Sequence, residues 1–419
     1  MTPTPRAGFA LLAVALLALV VPPVVAIVLA IAVIAMVLAD AMAARRTVRV
    51  RRGVPRVLAR GIPAELTVET GDNHAASVEL RQARPPDVII TPAEGRARLD
   101  AHLVARRRGE GTLPPVAARR TGPLGLARCT FDGKETAPLL VYPDVFAAHR
   151  IVSALRRGRF RDPGLRTRGP LGLGTDFESI RDYAPDDDVR QINWRATARV
   201  GRPMSNVYRI EQDRDVVCLV DAGRLMSAPL ETEHTTLTRL DAAVDAVTMV
   251  ALVADELGDR CGVTVFDAEI LRRLAPRRNG GRAVVRTILD VEPRAVDADY
   301  DLAFRSIGGA KRALVLVFTD LLDEAAARSL INAVPVLSRR HALVVASVRD
   351  PDLDAALRQP PQRPRDVYAS AVALDVLDAK RRVAVRLRHA GAQVVEAPPA
   401  ALGEACVRAY LRLKSRARL

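Results

Sequence analysis

The chain has 419 residues, 49% of them apolar but only 4% aromatic. That length allows two or three domains, with cores built mainly from Ala, Val and Leu. The formal net charge of +15 is carried almost wholly by Arg, with Lys only at Lys134, Lys311, Lys380 and Lys414. An Arg- and Ala-rich, Lys-poor composition is what GC-rich codon usage produces. Charge alone therefore does not argue for nucleic acid, and a basic face beside anionic lipid accounts for it better. None of Cys129, Cys218, Cys261 and Cys406 sits in a CxxC or at metal-ligand spacing from a His. No disulfide framework is implied, which suits a reducing compartment. Cys218 and Cys261 fall in apolar runs and read as small buried hydrophobes.

From Ala7 to Ala39 no residue is charged. As one helix this run would reach ~50 Å, against a bilayer core of ~30 Å. Pro22-Pro23 divides it, so the pattern predicts a transmembrane helical hairpin over residues 1–44. A single kinked span and a cleaved signal segment are the alternatives. Arg6 precedes the run, and Arg45, Arg46, Arg49, Arg51 and Arg52 follow it. Positive charge at both ends predicts that both lie in the cytoplasm, at the inner membrane, with the bulk of the chain cytoplasmic.

Residues 45–145 show no long helical period. Segments such as AELTVET and APLLVY alternate in short stretches between turn residues and predict a small all-β sandwich. No catalytic cluster stands out there. His74 and His102 read as structural or solvent-exposed, and Arg106-Arg107-Arg108 reads as a solvated turn.

The segment 146–212 contains GTDFESIRDYAPDDDVRQINWRATARVGRP, with the single Trp of the chain. Gly172 and Gly174 permit a tight turn. Pro185-Asp186 predicts a helix start with Asp186 as N-cap and Asp187 and Asp188 in the first turn, where the helix dipole favours carboxylates. Val189, Ile192 and Ala196 would share one face of that helix, and Gln191, Arg195 and Arg199 another. Arg190 and Trp194 would lie one turn apart. Arg181, Arg195 and Arg199 are candidates to pair with Glu178, Asp182 or Asp186. Clustered carboxylates can hold Mg²⁺ for phosphoryl chemistry. Yet no His lies between His149 and His234, and no phosphate-cradling Gly-rich loop or Ser/His/Asp set can be assembled. The chain is therefore expected not to be an enzyme. The segment reads as an interdomain clasp or a docking surface, Trp and Arg being the residue types that dominate binding hot spots.

Residues 213–419 alternate apolar strand-like runs with helical stretches. The strands are expected at VVCLVD, CGVTVFD, ALVLVFTD, HALVVASV and AQVVEA. This order predicts an α/β doubly wound sheet. Asp221, Asp267 and Asp320 then fall at carboxyl ends of strands, where such folds bind ligands. Three carboxylates there could hold a hard cation such as Mg²⁺.

This half resembles a von Willebrand factor A domain. That family's metal site uses an Asp-x-Ser-x-Ser loop, a later Thr and a later Asp. The first loop here reads Asp221-Ala222-Gly223-Arg224-Leu225, so both serines are replaced, while Asp320 stands at the later Asp. The resemblance implies at most a degenerate metal site at Asp221 and Asp320, with Arg224 repelling a cation. The alternative is that these carboxylates hold loop backbone and pair with arginines, and no cofactor is expected.

The whole chain also resembles the bacterial membrane-protein family called domain of unknown function 58. The likeness is carried by Phe177, Arg181, Tyr183, Asp187, Asp188, Arg190, Ile192, Trp194, Ala198 and Arg199. Asp176, Asp186 and Arg195 stand where the family has Glu, Gly and Lys. The pieces RRRGEGTLPPVAARRTGPLGL and LLVYPDV resemble it too. Members commonly accompany MoxR-type AAA+ ATPases. The resemblance implies a membrane-anchored scaffold or adaptor that binds protein partners at the cytoplasmic face, among them such an ATPase. A cell-surface or envelope adhesion protein and a metal-dependent phosphoester hydrolase built on Asp186–Asp188 are the alternatives.

Overall fold

The computed structural model describes residues 2–71, 77–157, 176–184, 187, 189–209, 214–231, 236–308, 312–321, 324, 327–358 and 360–415. They form two compact units, Met1–Tyr142 and Pro143–Leu419. His74, the Gly172–Gly174 turn and the Asp186 cap lie outside the described residues.

The first unit opens with two apolar helices, α1 (Pro5–Leu17) and α2 (Pro23–Ala44). The break falls at the Pro pair because Pro23 has no N–H to continue the first helix and its fixed φ suits the first turn of the second. The 22 residues of α2 rise ~33 Å, enough to cross a bilayer core. The 13 residues of α1 rise only ~20 Å. Among the described residues α2 is the one helix long and apolar enough to span. The expected helical hairpin is thus met by two apolar helices that break at the Pro pair, of which one is long enough to span. The strand Thr2–Pro3 and the oxygens of Thr4 and Asp40 tie both ends of the helix pair to the turn at 122–127.

The rest of this unit is β-structure in two sheets. In the larger sheet the strands Ala64–Thr70, Arg98–Ala105, Val78–Gln82, Val116–Thr121 and Ala127–Asp132 pair antiparallel with their neighbours. The smaller sheet joins Val57–Ala59, Ala137–Tyr142 and Gly109–Leu113. Side chains alternate, so Leu99, Ala101, Leu103 and Ala105 of one strand point into the core while Arg98, Asp100 and His102 face out. Leu66, Val68 and Leu80 of the larger sheet share one core with Leu113, Leu139 and Val141 of the smaller.

The second unit is built on a six-stranded sheet. Its order is Ile270–Arg277, Arg260–Phe266, Asp215–Asp221, Ala313–Phe318, Ala342–Val348 and Gln393–Ala397. All neighbours run parallel except the antiparallel edge strand Ile270–Arg277. The inner strands are buried along nearly their whole length, as parallel strands covered on both faces must be. Along the chain the helices are α3 (Val145–Arg156), α4 (Trp194–Val200), α5 (Arg239–Glu256), α6 (Gly281–Ile288), α7 (Tyr300–Arg305), α8 (Arg328–Leu337), α9 (Pro351–Arg358), α10 (Pro364–His389) and α11 (Pro399–Ser415). Side chains of α3, α5, α6 and α11 cover one face of the sheet, and those of α7, α8 and α10 cover the other. Helix α3, expected inside a connecting segment, packs on α5 and joins it through the bidentate Arg156–Glu256 pair. The edge strand Ile270–Arg277 and helix α9 were not foreseen. Three arginines interrupt the apolar pattern of the former, and a Pro-rich neighbourhood masks the latter.

Candidate functional site

The three strand-end carboxylates come together at the carboxyl edge of the sheet, and each is almost wholly buried. Asp221 Oδ1 accepts the N–H of Gly223 at 2.7 Å. Its Oδ2 accepts the hydroxyls of Thr319 at 2.7 Å and Tyr300 at 3.1 Å. Asp267 accepts the N–H of Glu269 at 2.9 Å and the Arg294 guanidinium at 3.2 Å. Asp320 faces two buried cations. Arg239 donates to its Oδ2, and Lys380 donates to Oδ1 at 2.8 Å, where Ser347 also donates at 3.3 Å. Arg239 continues to Asp350 at 3.0 Å. Burial pushes the Asp221 carboxyl above its ordinary range, against the pull of the Thr319, Gly223 and Tyr300 hydrogen bonds. Burial, followed by the neighbouring Arg239 charge, pushes the Lys380 ammonium down to about 8.

These residues do not fit a divalent cation. Such an ion needs several free oxygen ligands, whereas both oxygens of Asp320 already meet cations and Asp221 is occupied by three donors. The loop also blocks the missing serine. Arg224 N–H bonds Val296 O and Arg294 N–H bonds Ala222 O, which zips the loop to the segment 294–298. A β-carbon at Gly223 would lie 2.8 Å from Val296 O. Among the described residues no group of three or more His, Cys, Asp and Glu side chains could hold a metal. Of the two carboxylates expected to hold loop backbone and pair with arginines, Asp320 meets Arg239, whereas Asp221 holds the loop N–H of Gly223 and meets hydroxyls rather than an arginine. Arg224 turns outward to Asp297. Thr319, which the sequence did not single out, donates its hydroxyl to Asp221.

The Asp/Trp/Arg segment folds differently from the helix expected at Asp186. Asp176–Asp182 and Met204–Arg209 form an antiparallel hairpin. Between them lie a 3₁₀ turn at Val189–Gln191 and α4, which starts only at Trp194. Helical continuity breaks because Ile192 bridges to Ser205 and the Asn193 N–H bonds Met204 O at 2.8 Å. Asn193 takes the cap role, its Oδ1 accepting the Ala196 N–H at 3.0 Å. Arg190 and Trp194 are therefore not one helical turn apart, and Val189 and Ile192 share no helix face with Ala196. Asp187 closes the turn instead, accepting the Ala184 N–H at 2.9 Å and the Arg181 guanidinium at 2.5 Å. Tyr183 OH donates to Asp187 O at 3.1 Å. The Ala184 bond, helped by Arg181, holds the Asp187 carboxyl below its ordinary range. Asp182 pairs with Arg202 at 3.1 Å, not with Arg181. The side chains of Phe177, Asp188 and Arg190 lie outside the described residues.

This framework turns its largest apolar side chain outward. Trp194 is 69% exposed, with Val189, Val200 and Ile180 also exposed. Arg195 and Arg199 are exposed on α4, none of whose residues is buried. A rigid aromatic flanked by arginines on a hydrogen-bonded scaffold can bind a protein surface, since it contributes large contact area at little cost in side-chain entropy.

An uncharacterised protein of Mycobacterium tuberculosis and one of Mycobacterium bovis are each 24% identical to this chain over 186 residues. The match takes in 43% of this chain and 56% of either relative, so the chain spans about half the length of the curated relatives it matches. A crystal structure described as an uncharacterised membrane-spanning protein from Vibrio fischeri covers 49% of this chain and 99% of its own, at 11% identity. Its TM-score of 0.17 is too low for the likeness to carry a structural argument. Residues 179–363, which take in both the Trp194 framework and the strand-end carboxylates, match the family described as a protein of unknown function, DUF58.

Proposed function

We propose that the chain is a non-enzymatic, membrane-anchored scaffold whose body lies in the cytoplasm and binds protein partners through the Trp194 framework. The single observation that carries this reading is an aromatic left 69% exposed on a turn tightly locked by Arg181, Tyr183 and Asp187. The strand-end carboxylates support it from the other side, because their acceptor capacity is taken up by internal donors rather than offered to a substrate. Helices α1 and α2 enter the bilayer as a hairpin, and the arginines after α2 keep its end on the cytoplasmic side. A MoxR-type AAA+ ATPase is the proposed partner, a reading supported only by the family resemblance. The C-terminal unit is read as von Willebrand factor A-like, with an internal ion network at the usual metal position.

Co-purification of the full chain with a MoxR-type ATPase from the same cells tests the docking surface. Trp194→Ala is expected to abolish co-purification while the chain stays folded, and unchanged co-purification overturns the site. Topology is tested by reporters fused after Leu419. Activity confined to the cytoplasmic reporter is expected, and activity of an external reporter overturns the orientation.

A further inference from the structure

The turn at 122–127 of the β-module is built onto the apolar helix pair from both ends. Asp40, near the end of α2, accepts the N–H groups of Leu124 at 2.7 Å, Leu126 at 2.7 Å and Ala127 at 2.8 Å. Thr4, just before α1, donates its hydroxyl to Gly125 O at 2.6 Å, and its N–H bonds Leu126 O at 2.9 Å. The uncharged run ends where these bonds are made, between Arg6 and Asp40. With α2 across a bilayer, the turn bonded to Asp40 and Thr4 would lie at the depth of the lipid headgroups, and Leu124 in it is exposed.

Four arginines adjoin these bonds in sequence or in strand pairing. The Arg6 guanidinium lies against the turn, 3.0 Å from where a β-carbon on Gly125 would sit. Arg45 caps α2, and Arg46 follows it with its carbonyl held by Arg120 at 2.8 Å. Arg128 sits opposite Thr2 in the strand pairing, and its Nε is buried without a hydrogen-bond partner. Among the described residues, Arg6, Arg45, Arg46 and Arg128 have no carboxylate partner, and the nearby Asp40 is committed to backbone. Other arginines of the module are internally engaged, such as Arg52 with Pro114 O and Glu135 O, or Arg98 with Glu69 and Asp100.

We propose that Arg6, Arg45, Arg46 and Arg128 form a collar that binds the phosphate headgroups of anionic lipids and seats the β-module on the membrane. The proposal rests on the reading that α2 spans a bilayer. Guanidinium groups suit this ligand because they meet phosphate oxygens through paired N–H donors. An arginine near an anionic surface strengthens association roughly fivefold. Losing four is therefore expected to cost at least about tenfold in lipid preference, even with heavy discounting for overlap.

The test uses the full chain in nanodiscs of phosphatidylcholine mixed with phosphatidylglycerol, with retained lipid counted by native mass spectrometry. The wild type is expected to retain phosphatidylglycerol in preference. The variant R6Q/R45Q/R46Q/R128Q should lose that preference, and the matching Arg→Lys set should recover part of it. Because Arg45 and Arg46 are exposed, R45Q/R46Q alone serves as a variant that folds, and it should weaken the preference by a smaller factor. Equal retention of the two lipids by the wild type, or unchanged preference in the quadruple Gln variant, overturns the collar while leaving the span intact. Release of the chain from vesicles by alkaline carbonate overturns the span, and the collar with it.

Discussion

The strand-end carboxylates and the Trp194 framework are the two most conspicuous groups of chemistry-bearing residues in the second unit, and they are treated in opposite ways. Asp221, Asp267 and Asp320 are almost wholly buried, and each is satisfied by donors from the same unit. In the framework, a solvent-facing pair, Arg181–Asp187, locks a turn that leaves Trp194, Val189 and Val200 in solvent. A charge removed from water must be paired at once, or it costs several kcal/mol. An exposed aromatic costs little and remains available. The first region therefore has its acceptors taken up inside the fold, and the second leaves its apolar side chains in solvent.

The sharpest way to break this contrast is at Asp320. Asp320→Asn leaves Lys380 buried without its counter-ion and Arg239 with Asp350 alone, and should lower stability by about 3–5 kcal/mol, read from a urea titration. A loss below about 1 kcal/mol would mean that the ion network is not structural. Next is the loop that stands where a metal motif would be. Gly223→Ser forces a β-carbon toward Val296 O and should cost about 1–3 kcal/mol, with no Mg²⁺-dependent rise in melting temperature. A Mg²⁺-dependent rise would restore the metal reading.

The third test is pH. Lys380 is held at about 8, below its unfolded value, so above that pH the folded chain releases a proton that the unfolded chain keeps until about 10.4. The unfolded state then binds more protons, and stability from this group rises between pH 8 and about 10.4. The urea midpoint of the wild type should therefore rise relative to that of Lys380→Met across this window. Parallel curves would show that Lys380 is not depressed. The smallest effect belongs to the exposed region. Trp194→Ala should change stability by less than about 0.5 kcal/mol while removing partner capture. A large stability loss would instead place Trp194 among the structural contacts.

How far each region could be read in advance follows the range of its interactions. The runs around 216–221, 260–266 and 313–318 were legible because parallel strands covered on both faces need unbroken apolar sequence. The Pro22-Pro23 break was legible because proline acts locally. The helix expected to run on from residue 186 is not continuous through 189–193, although acidic residues after a proline look like a cap. The true start at Asn193 is set by pairing with Ser205 and Met204, contacts that no local pattern announces. The arginine-interrupted strand Ile270–Arg277 hid for a related reason. An edge strand needs only one buried neighbour, so its sequence tolerates charge.

By itself the sequence determined the apolar helix pair, the β-rich module after it and the strand–helix alternation of the C-terminal half, since periodicity and turn chemistry act over a few residues. It also named the residues that would matter at the strand ends. What became of them was decided only by tertiary structure. Asp320 meets Lys380 and Arg239 from positions 60 and 81 residues away, Asp221 meets Tyr300 and Thr319 from 79 and 98, and Asp40 meets the turn at Leu124 from 84. Whether a carboxylate binds an ion, a hydroxyl or a backbone turn depends on which donors the fold brings within hydrogen-bonding distance, and no spacing along the chain encodes that choice.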